Sequence, residues 1–155
     1  MKIAIGSDHA GYVLKQKVAD ALRAKGHEVE DFGTGSEEPV DYPDFAESPA
    51  REVAAGAADK GVLVCGSGVG VAMVANKVDG IRAVNAHDPD EAALSRRHND
   101  ANVLTLSGRR LDDDEALAIV DSFLDAEFEG GRHARRVAKI GEVEAHNADR
   151  SRQTA

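Results

Sequence analysis

The chain has 155 residues, with 28 acidic and 19 basic side chains and a formal net charge of −9 at pH 7. This length suits one domain of ordinary size, and an apolar content of 42% excludes wholesale disorder. The acidity disfavours nucleic acid and anionic membrane as partners, because both are negatively charged, and a single cysteine excludes an internal disulfide and a multi-thiolate zinc site.

Five short apolar segments alternate with longer segments of helical periodicity. The predicted strands are residues 2–5, 28–32, 62–65, 81–86 and 102–106. Such alternation favours parallel strands joined by right-handed crossovers. We therefore predict a doubly wound, Rossmann-like α/β domain of about five parallel strands with helices on both faces and one further helix at the C-terminus.

The helical segments are recognised by their apolar spacing. Leu14, Val18 and Leu22 recur every four residues and predict an amphipathic first helix. Residues 43–58 favour a second helix, which we expect Pro49 to interrupt or restart.

The C-terminal third of the chain contains two more helix signals. Asp112 followed by Glu115 resembles a capping box, and a charged final helix is expected to start near Gly131. We assign residues 1–150 to a single domain and residues 151–155 to a polar, disordered tail. The first residues lack the long apolar stretch of a signal peptide, and no run approaches about 18 apolar residues. The expected location is the cytoplasm.

Polar residues follow the first predicted strand directly. Ligands of such folds bind outside the carboxyl ends of the strands, where Asp8 and His9 would lie. An acid beside an imidazole could transfer protons and bind hydroxyl groups. Ser7 and Asp8 also suit the cap of a helix, so both interpretations stay open at this point.

A glycine-rich loop follows the third predicted strand. Gly66, Gly68 and Gly70 alternate with other residues and can direct several backbone N–H groups toward one anion. The loop lacks the lysine of a nucleotide P-loop and the spacing of a dinucleotide fingerprint. Cys65 precedes the loop, where N–H dipoles would favour a thiolate base, although a buried apolar cysteine is the alternative.

Two further candidates lie near the C-terminus. Residues 131–139 hold four permanent positive charges and no acid, and Arg132 and Arg136 share one helical face beside His133. Such a pair can bind a phosphate, whereas a solvated helix face is the ordinary alternative. His98, before the last strand, is by itself more typical of a surface or capping residue.

Together these segments resemble the family of ribose-5-phosphate isomerase B and the galactose-6-phosphate isomerase subunits. The resemblance extends from residue 1 to about residue 145. The matching segments are residues 6–11 (GSDHAG), 41–43 (DYP), 65–70 (CGSGVG), 75–77 (ANK), 80–83 (GIRA), 97–102 (RHNDAN) and 130–133 (GGRH).

The resemblance implies an aldose–ketose isomerase of phosphorylated sugars that uses no metal and no cofactor. By this analogy Cys65 is the base that moves a proton between C2 and C1 through a cis-enediolate, and His98 helps to open the sugar ring. One branch of the family has a glutamate after the glycine loop in place of the thiol. Here that position is Val71, so the chain resembles the cysteine branch.

The remaining site residues also follow from the resemblance. Asp8 and His9 would bind substrate oxygens, Ser67 would donate a hydrogen bond nearby, and Asn99 would bind the sugar. The resemblance implies a homodimer with shared active sites as the smallest assembly, with a tetramer as the alternative. The expected enediolate-binding residues are Gly66, Gly68, Val69 and Gly70, and the expected phosphate-binding residues are Arg109, Arg132, His133 and Arg136.

Two alternatives stay open at the level of sequence. The same chemistry could serve another phosphosugar, such as erythrulose 4-phosphate, allose 6-phosphate or galactose 6-phosphate, because pocket length is not visible in the sequence. Tyr42 and His87 are unassigned in this respect. A non-catalytic phosphometabolite-binding module on the same fold would explain the anion-binding residues but would leave Cys65 and His98 without a role.

Overall fold

The computed structural model describes residues 1–153, and its centre is a five-stranded sheet. All strand pairs are parallel, and the strand order is β2-β1-β3-β5-β4. The predicted Rossmann-like α/β architecture is confirmed. The strands are β1 (Lys2–Ser7), β2 (Glu28–Asp31), β3 (Lys60–Cys65), β4 (Ala83–Asn85) and β5 (Val103–Ser107).

Helices cover both faces of this sheet because successive strand residues point to opposite sides. One core contains residues from α1, α4 and α5, and the other contains residues from α2 and α3. Ile3 and Ile5 enter the first core, whereas Ala4 between them enters the second. The helices are α1 (Tyr12–Ala24), α2 (Tyr42–Ala54), α3 (Val69–Ala75), α4 (Pro89–Asn99), α5 (Asp113–Asp125) and α6 (Arg132–Gln153).

The expectation that Pro49 interrupts the second helix is wrong. Helix α2 is continuous from Tyr42 to Ala54 with Pro49 inside it and buried. Strand β1 packs against this turn at Gly6, where a Cβ atom would lie 2.5 Å from the Phe45 carbonyl oxygen and 3.1 Å from Pro49. A proline would weaken this turn in an isolated helix. Here the helical turn from Phe45 to Pro49 packs closely against Gly6 of β1, and this tertiary packing supports it.

The two C-terminal helix signals have clear structural counterparts. Asp112 and Glu115 form the predicted capping box at the start of α5. Helix α6 begins at Arg132 and continues to Gln153, so residues 151–153 of the expected tail are helical, and residues 154–155 lie outside the described residues. Within residues 1–153, no helix combines the length and apolar character needed to cross a membrane.

An ion pair between a buried lysine and a partly exposed aspartate connects α1 to the end of β2. The Lys15 side chain is 1% exposed, and its ammonium lies 2.6 and 2.7 Å from the two carboxylate oxygens of Asp31. It also donates to the Thr34 carbonyl at 2.9 Å. Thr34 in turn donates its N–H to the Ser7 carbonyl at 2.6 Å. The ion pair thus holds the loop after β2 against the end of β1.

Candidate active site

The glycine loop forms a tight turn directly after Cys65, the last residue of β3. The thiol is free and only 4% exposed, and its sulfur accepts a hydrogen bond from the Gly68 N–H at 3.2 Å. Gly68 has a φ of 77°, and a Cβ atom there would lie 2.3 Å from the Asn85 Oδ1 atom. The position therefore requires glycine, and the turn directs an amide dipole at the sulfur.

Three side chains from the neighbouring strands hold consecutive carbonyl groups of this loop. Ser107 donates to the Gly66 carbonyl at 2.7 Å, and Thr105 donates to the Gly68 carbonyl at 2.8 Å. The Asn85 amide donates to the Ser67 carbonyl at 3.3 Å. These bonds fix the loop to β4 and β5 and so preorganise it without any contribution from a ligand.

Sequence reasoning missed these three supporting residues. Thr105 and Ser107 are buried polar residues at alternate positions of a strand whose other residues are apolar. Residues two apart lie on the same side of a strand, and buried hydroxyl groups need partners. That pattern is a signal for the role of Thr105 and Ser107. Asn85 has no comparable signal, because its role depends on the approach of another loop.

Asp8 and His9 lie where β1 ends, beside the glycine loop. The Asp8 carboxylate accepts the Gly11 N–H at 3.0 Å and caps a short 3₁₀ turn, so the capping interpretation is correct. His9 Nδ1 accepts the Val40 N–H at 3.1 Å. A neutral ring with Nδ1 as acceptor carries its proton on Nε2, so His9 can donate from that nitrogen.

The first group of predicted site residues lines one cleft of about 400 Å³ at the carboxyl ends of the strands. The Arg109 guanidinium lies over the loop, 3.2 Å from where a Cβ atom of Gly66 would be. The ring of Tyr42 lies closer still to the other end of the loop, 2.8 Å from where a Cβ atom of Gly70 would be. The lining residues are Asp8, His9, Ala10, Tyr42, Cys65, Gly66, Ser67, Gly70, Arg109 and Arg110.

His98 and His133 form a second group with Glu129. Their rings stack with centroids 4.3 Å apart and an angle of 7° between the planes. Glu129 Oε2 lies 3.9 Å from the Nε2 atom of His98 and 3.6 Å from that of His133. Burial, followed by the charges of His98 and Arg132, lowers the pKa of His133 below its ordinary value. These effects favour the neutral form of the His133 ring.

Arg132, Asn99 and Arg136 lie in the same part of the molecule. Arg132 and Arg136 occupy the first two turns of α6, as predicted from their spacing. Asn99 and Arg136 line a cavity of about 630 Å³ between α6 and the edge of the sheet formed by β4. The Asn99 carbonyl accepts a hydrogen bond from Arg82 at 3.0 Å.

The two groups lie at opposite ends of the strands within one chain. His98 is in the last turn of α4, and the connection to β5 continues to Asn102, whose carbonyl accepts the Gly61 N–H at the start of β3. Cys65 is at the other end of β3, four residues or about 13 Å further along the strand. The chain therefore brings Asp8, His9, Cys65, the loop and Arg109 together, but not with His98, Asn99, Arg132, His133 and Arg136.

Comparison with known proteins identifies close relatives over nearly the whole chain. The family model described as Ribose/Galactose Isomerase matches residues 3–140. Ribose-5-phosphate isomerase B of Escherichia coli is 48% identical over 143 residues, which are 92% of this chain and 96% of the relative. D-erythrulose-4-phosphate isomerase of Pectobacterium atrosepticum is 44% identical and covers 93% of this chain and 95% of its own length.

A solved structure agrees with the fold in detail. Ribose-5-phosphate isomerase B of Clostridium thermocellum is 54% identical to this chain and superposes with a TM-score of 0.94. The match covers 95% of this chain and 99% of the solved chain.

Proposed function

Because the chain belongs to the ribose/galactose isomerase family, we propose that it interconverts ribose 5-phosphate and ribulose 5-phosphate with Cys65 as the base. The chain is an aldose–ketose isomerase, so the alternative of a non-catalytic binding module is wrong. The observation that carries the proposed mechanism is the free thiol of Cys65. This thiol lies in the cleft and accepts a hydrogen bond from the Gly68 amide.

The proposed reaction moves one carbon-bound proton and one hydroxyl proton. The Cys65 thiolate removes the proton from C2 of the open-chain aldose. The C2–H electrons form the C1–C2 double bond of a cis-enediolate, and the π electrons of the C1–O1 carbonyl move onto O1. The resulting thiol returns that proton to C1, and the proton of the C2 hydroxyl passes to O1. The amides of residues 66–70 stabilise the negative charge on the enediolate oxygens because the loop holds them in place before the substrate arrives. These steps use no metal and no cofactor.

The other residues of the cleft bind and orient the sugar in this proposal. His9 donates from Nε2 to a substrate oxygen, which its bond from the Val40 N–H supports. The second carboxylate oxygen of Asp8 accepts a hydrogen bond from a hydroxyl group of the sugar. Ser67 donates its hydroxyl proton nearby, consistent with its oxygen accepting the Val69 N–H at 3.2 Å. Arg109, which also lines the cleft, donates hydrogen bonds to the phosphate group of the substrate.

The second group supplies ring opening and the remaining phosphate contacts. His98 transfers the proton that opens the furanose ring, Asn99 binds the sugar, and Arg132, His133 and Arg136 bind the phosphate. Since this group lies away from Cys65 in one chain, we propose a homodimer in which the second group of one subunit faces the cleft of the other. A two-fold axis then creates two equal composite sites.

Mixing two inactive variants tests the shared site. Cys65→Ala and His98→Asn subunits are each expected to be inactive, whereas exchange between them should restore about one quarter of wild-type activity. Half of the dimers are then mixed, and each mixed dimer has one of its two sites intact. The measurement is the isomerisation rate after subunit exchange, with the fraction of mixed dimers counted by native mass spectrometry.

A matched mixture controls for this recovery. Cys65→Ala mixed with Asp8→Asn should stay inactive, because both changes lie in the same cleft and every site then carries one of them. No recovery in the first mixture, with mixed dimers present, would show that the second group does not act across the interface.

The choice of sugar is tested by kcat/KM for four-, five- and six-carbon phosphosugars. We expect ribose 5-phosphate to rank first because the relatives matching at 48% and 54% identity are ribose-5-phosphate isomerases. The relative at 44% identity makes erythrulose 4-phosphate the second candidate. Allose 6-phosphate and galactose 6-phosphate complete the series. A higher kcat/KM for any of these sugars would replace ribose 5-phosphate as the substrate.

A further inference from the structure

The side chains of His98, Glu129 and His133 converge in a way that the isomerase reaction does not by itself require. They come from the end of α4, the α5–α6 connection and the start of α6. The Nε2 atom of each histidine lies near the same oxygen of Glu129, at 3.9 and 3.6 Å, and the three ligand atoms all lie within 4.8 Å of one another.

These distances are close to those of a tetrahedral metal site. Ligand atoms bound to Zn²⁺ at about 2.1 Å lie about 3.4 Å from each other. The two histidine–glutamate distances therefore exceed the required separation by about half an ångström or less. The stacked rings must tilt toward each other for both nitrogens to bind one ion. His98 and Glu129, both more than one-third exposed, have room for that movement.

Backbone hydrogen bonds hold the three residues in register. The Glu129 N–H donates to the carbonyl of Arg97, the residue before His98, at 3.0 Å. The His133 N–H donates to the Gly130 carbonyl at 2.9 Å and so closes the short turn between Glu129 and α6. The three side chains are thus brought together by the backbone, before any ion binds.

The charge state of the cluster favours metal binding in part. Metal ligation uses the lone pair of an imidazole nitrogen, and the Nε2 atoms of His98 and His133 lie 3.9 and 3.6 Å from the same Glu129 oxygen. Glu129 supplies one negative charge. Arg132 and Arg136 oppose the binding of a cation, since their charges also act on His133. We therefore expect a reversible site and not a permanently loaded one.

We propose that His98, Glu129 and His133 form an inhibitory site for Zn²⁺, bound through the two Nε2 atoms and the carboxylate. Two imidazoles and one carboxylate suit zinc and leave a fourth position open to water. The ion occupies the lone pair of His98 that ring opening uses. The inhibitory consequence rests on the proposed function, whereas the binding of zinc does not.

The first experiment measures zinc binding directly, by titrating metal-free protein with Zn²⁺ in a calorimeter. Wild-type protein should bind one ion per chain, and Glu129→Gln or His133→Gln should lower the affinity at least about tenfold. His146→Gln removes an exposed histidine elsewhere on α6 and should leave the affinity unchanged. Equal affinity in wild-type protein and both cluster variants would overturn the proposal.

The free thiol of Cys65 is the main competing ligand for zinc. A further variant distinguishes binding at the thiol from binding at the cluster. Cys65→Ala should retain the zinc affinity of the wild type, because Cys65 lies at the opposite end of the strands. Loss of binding in Cys65→Ala would assign the ion to the thiol and overturn the cluster site.

Activity then tests the inhibitory consequence. Wild-type isomerisation should fall with Zn²⁺ and recover with a chelator. Relative to its own zinc-free rate, Glu129→Gln should need at least about tenfold more zinc than the wild type for the same fractional inhibition. Zinc binding at the cluster without any effect on isomerisation would overturn the inhibitory role. If no phosphosugar is isomerised but zinc still binds at the cluster, the proposed function fails and the metal site stands.

Discussion

Replacing Cys65 with alanine is expected to lower kcat/KM by about 10²- to 10⁴-fold, the range that a positioned acid–base group contributes. The thiol is the ionisable side chain that lies at the glycine loop with an amide donor aimed at it, at 3.2 Å from Gly68. Alanine removes the base but leaves the loop bonded to Thr105 and Ser107. The measurement is kcat/KM for ribose 5-phosphate, with binding of the same sugar followed by calorimetry.

Two controls separate loss of the base from loss of the fold. Cys65→Ser keeps a polar atom of similar size, but its hydroxyl stays protonated at neutral pH, so we expect it to be as inactive as the alanine variant. Both variants should keep the wild-type circular dichroism spectrum and bind the sugar. Near-wild-type turnover by Cys65→Ala would refute the assignment of the base.

Replacing Asp31 with asparagine is expected to lower the free energy of unfolding by about 3 kcal/mol, because it leaves a buried ammonium without its counter-charge. Lys15 is 1% exposed, and its three donors are all used, two by Asp31 and one by Thr34. Asparagine has nearly the same shape, so the change tests the charge and not the packing. Urea unfolding at one fixed protein concentration measures the effect, since association would otherwise add to the stability.

A surface ion pair provides the matched comparison for Asp31. Asp121 pairs with Lys25, and both side chains are more than 40% exposed. Asp121→Asn should cost less than about 1 kcal/mol, as exposed pairs usually do. The double variant Lys15→Met/Asp31→Asn should recover part of the lost stability because the unpaired charge is gone. If Asp31→Asn costs no more than Asp121→Asn, the ion pair does not hold the loop after β2 in place.

Each of the five predicted strands is present with its ends within two residues of the predicted ones, and β4 is the strand shortened most. Apolar, β-branched runs predicted residues 81–86, but β4 contains only Ala83–Asn85. Before it, the Arg82 N–H donates to the Asn102 side chain at 2.8 Å in place of a strand partner. The side chain of Asn102 thus takes the place of a strand partner, so that β4 begins only at Ala83. No local sequence pattern predicts that contact.

The support of the glycine loop shows a similar limit. Three glycines after a buried strand predict a tight turn, and the structure has such a turn, with the Gly68 N–H directed at the Cys65 sulfur. The bonds from Thr105, Ser107 and Asn85 that hold the turn come from strands that are neighbours in space and distant in sequence. Their identification requires the strand order, in which β5 lies between β3 and β4.

The site residues divide between these two kinds of information. Local patterns identify Asp8, His9 and Cys65 as residues at the carboxyl ends of strands. In any parallel sheet, those ends all lie on the same side of the sheet. The same local reasoning gives no position for His98. Helix α4 returns antiparallel to the strands, so its last turn lies near the amino-terminal ends of the strands.

The arginine cluster and the single cysteine are visible in the sequence, but the distance between them is not. In an acidic chain, a cluster of arginines near residue 132 predicts a small anionic ligand, and a thiol directly before a glycine loop makes Cys65 a candidate base. How far apart these features lie was decided by the tertiary structure. Strand order and helix direction are set by packing between distant segments, and these place the arginines with His98 and His133, away from Cys65.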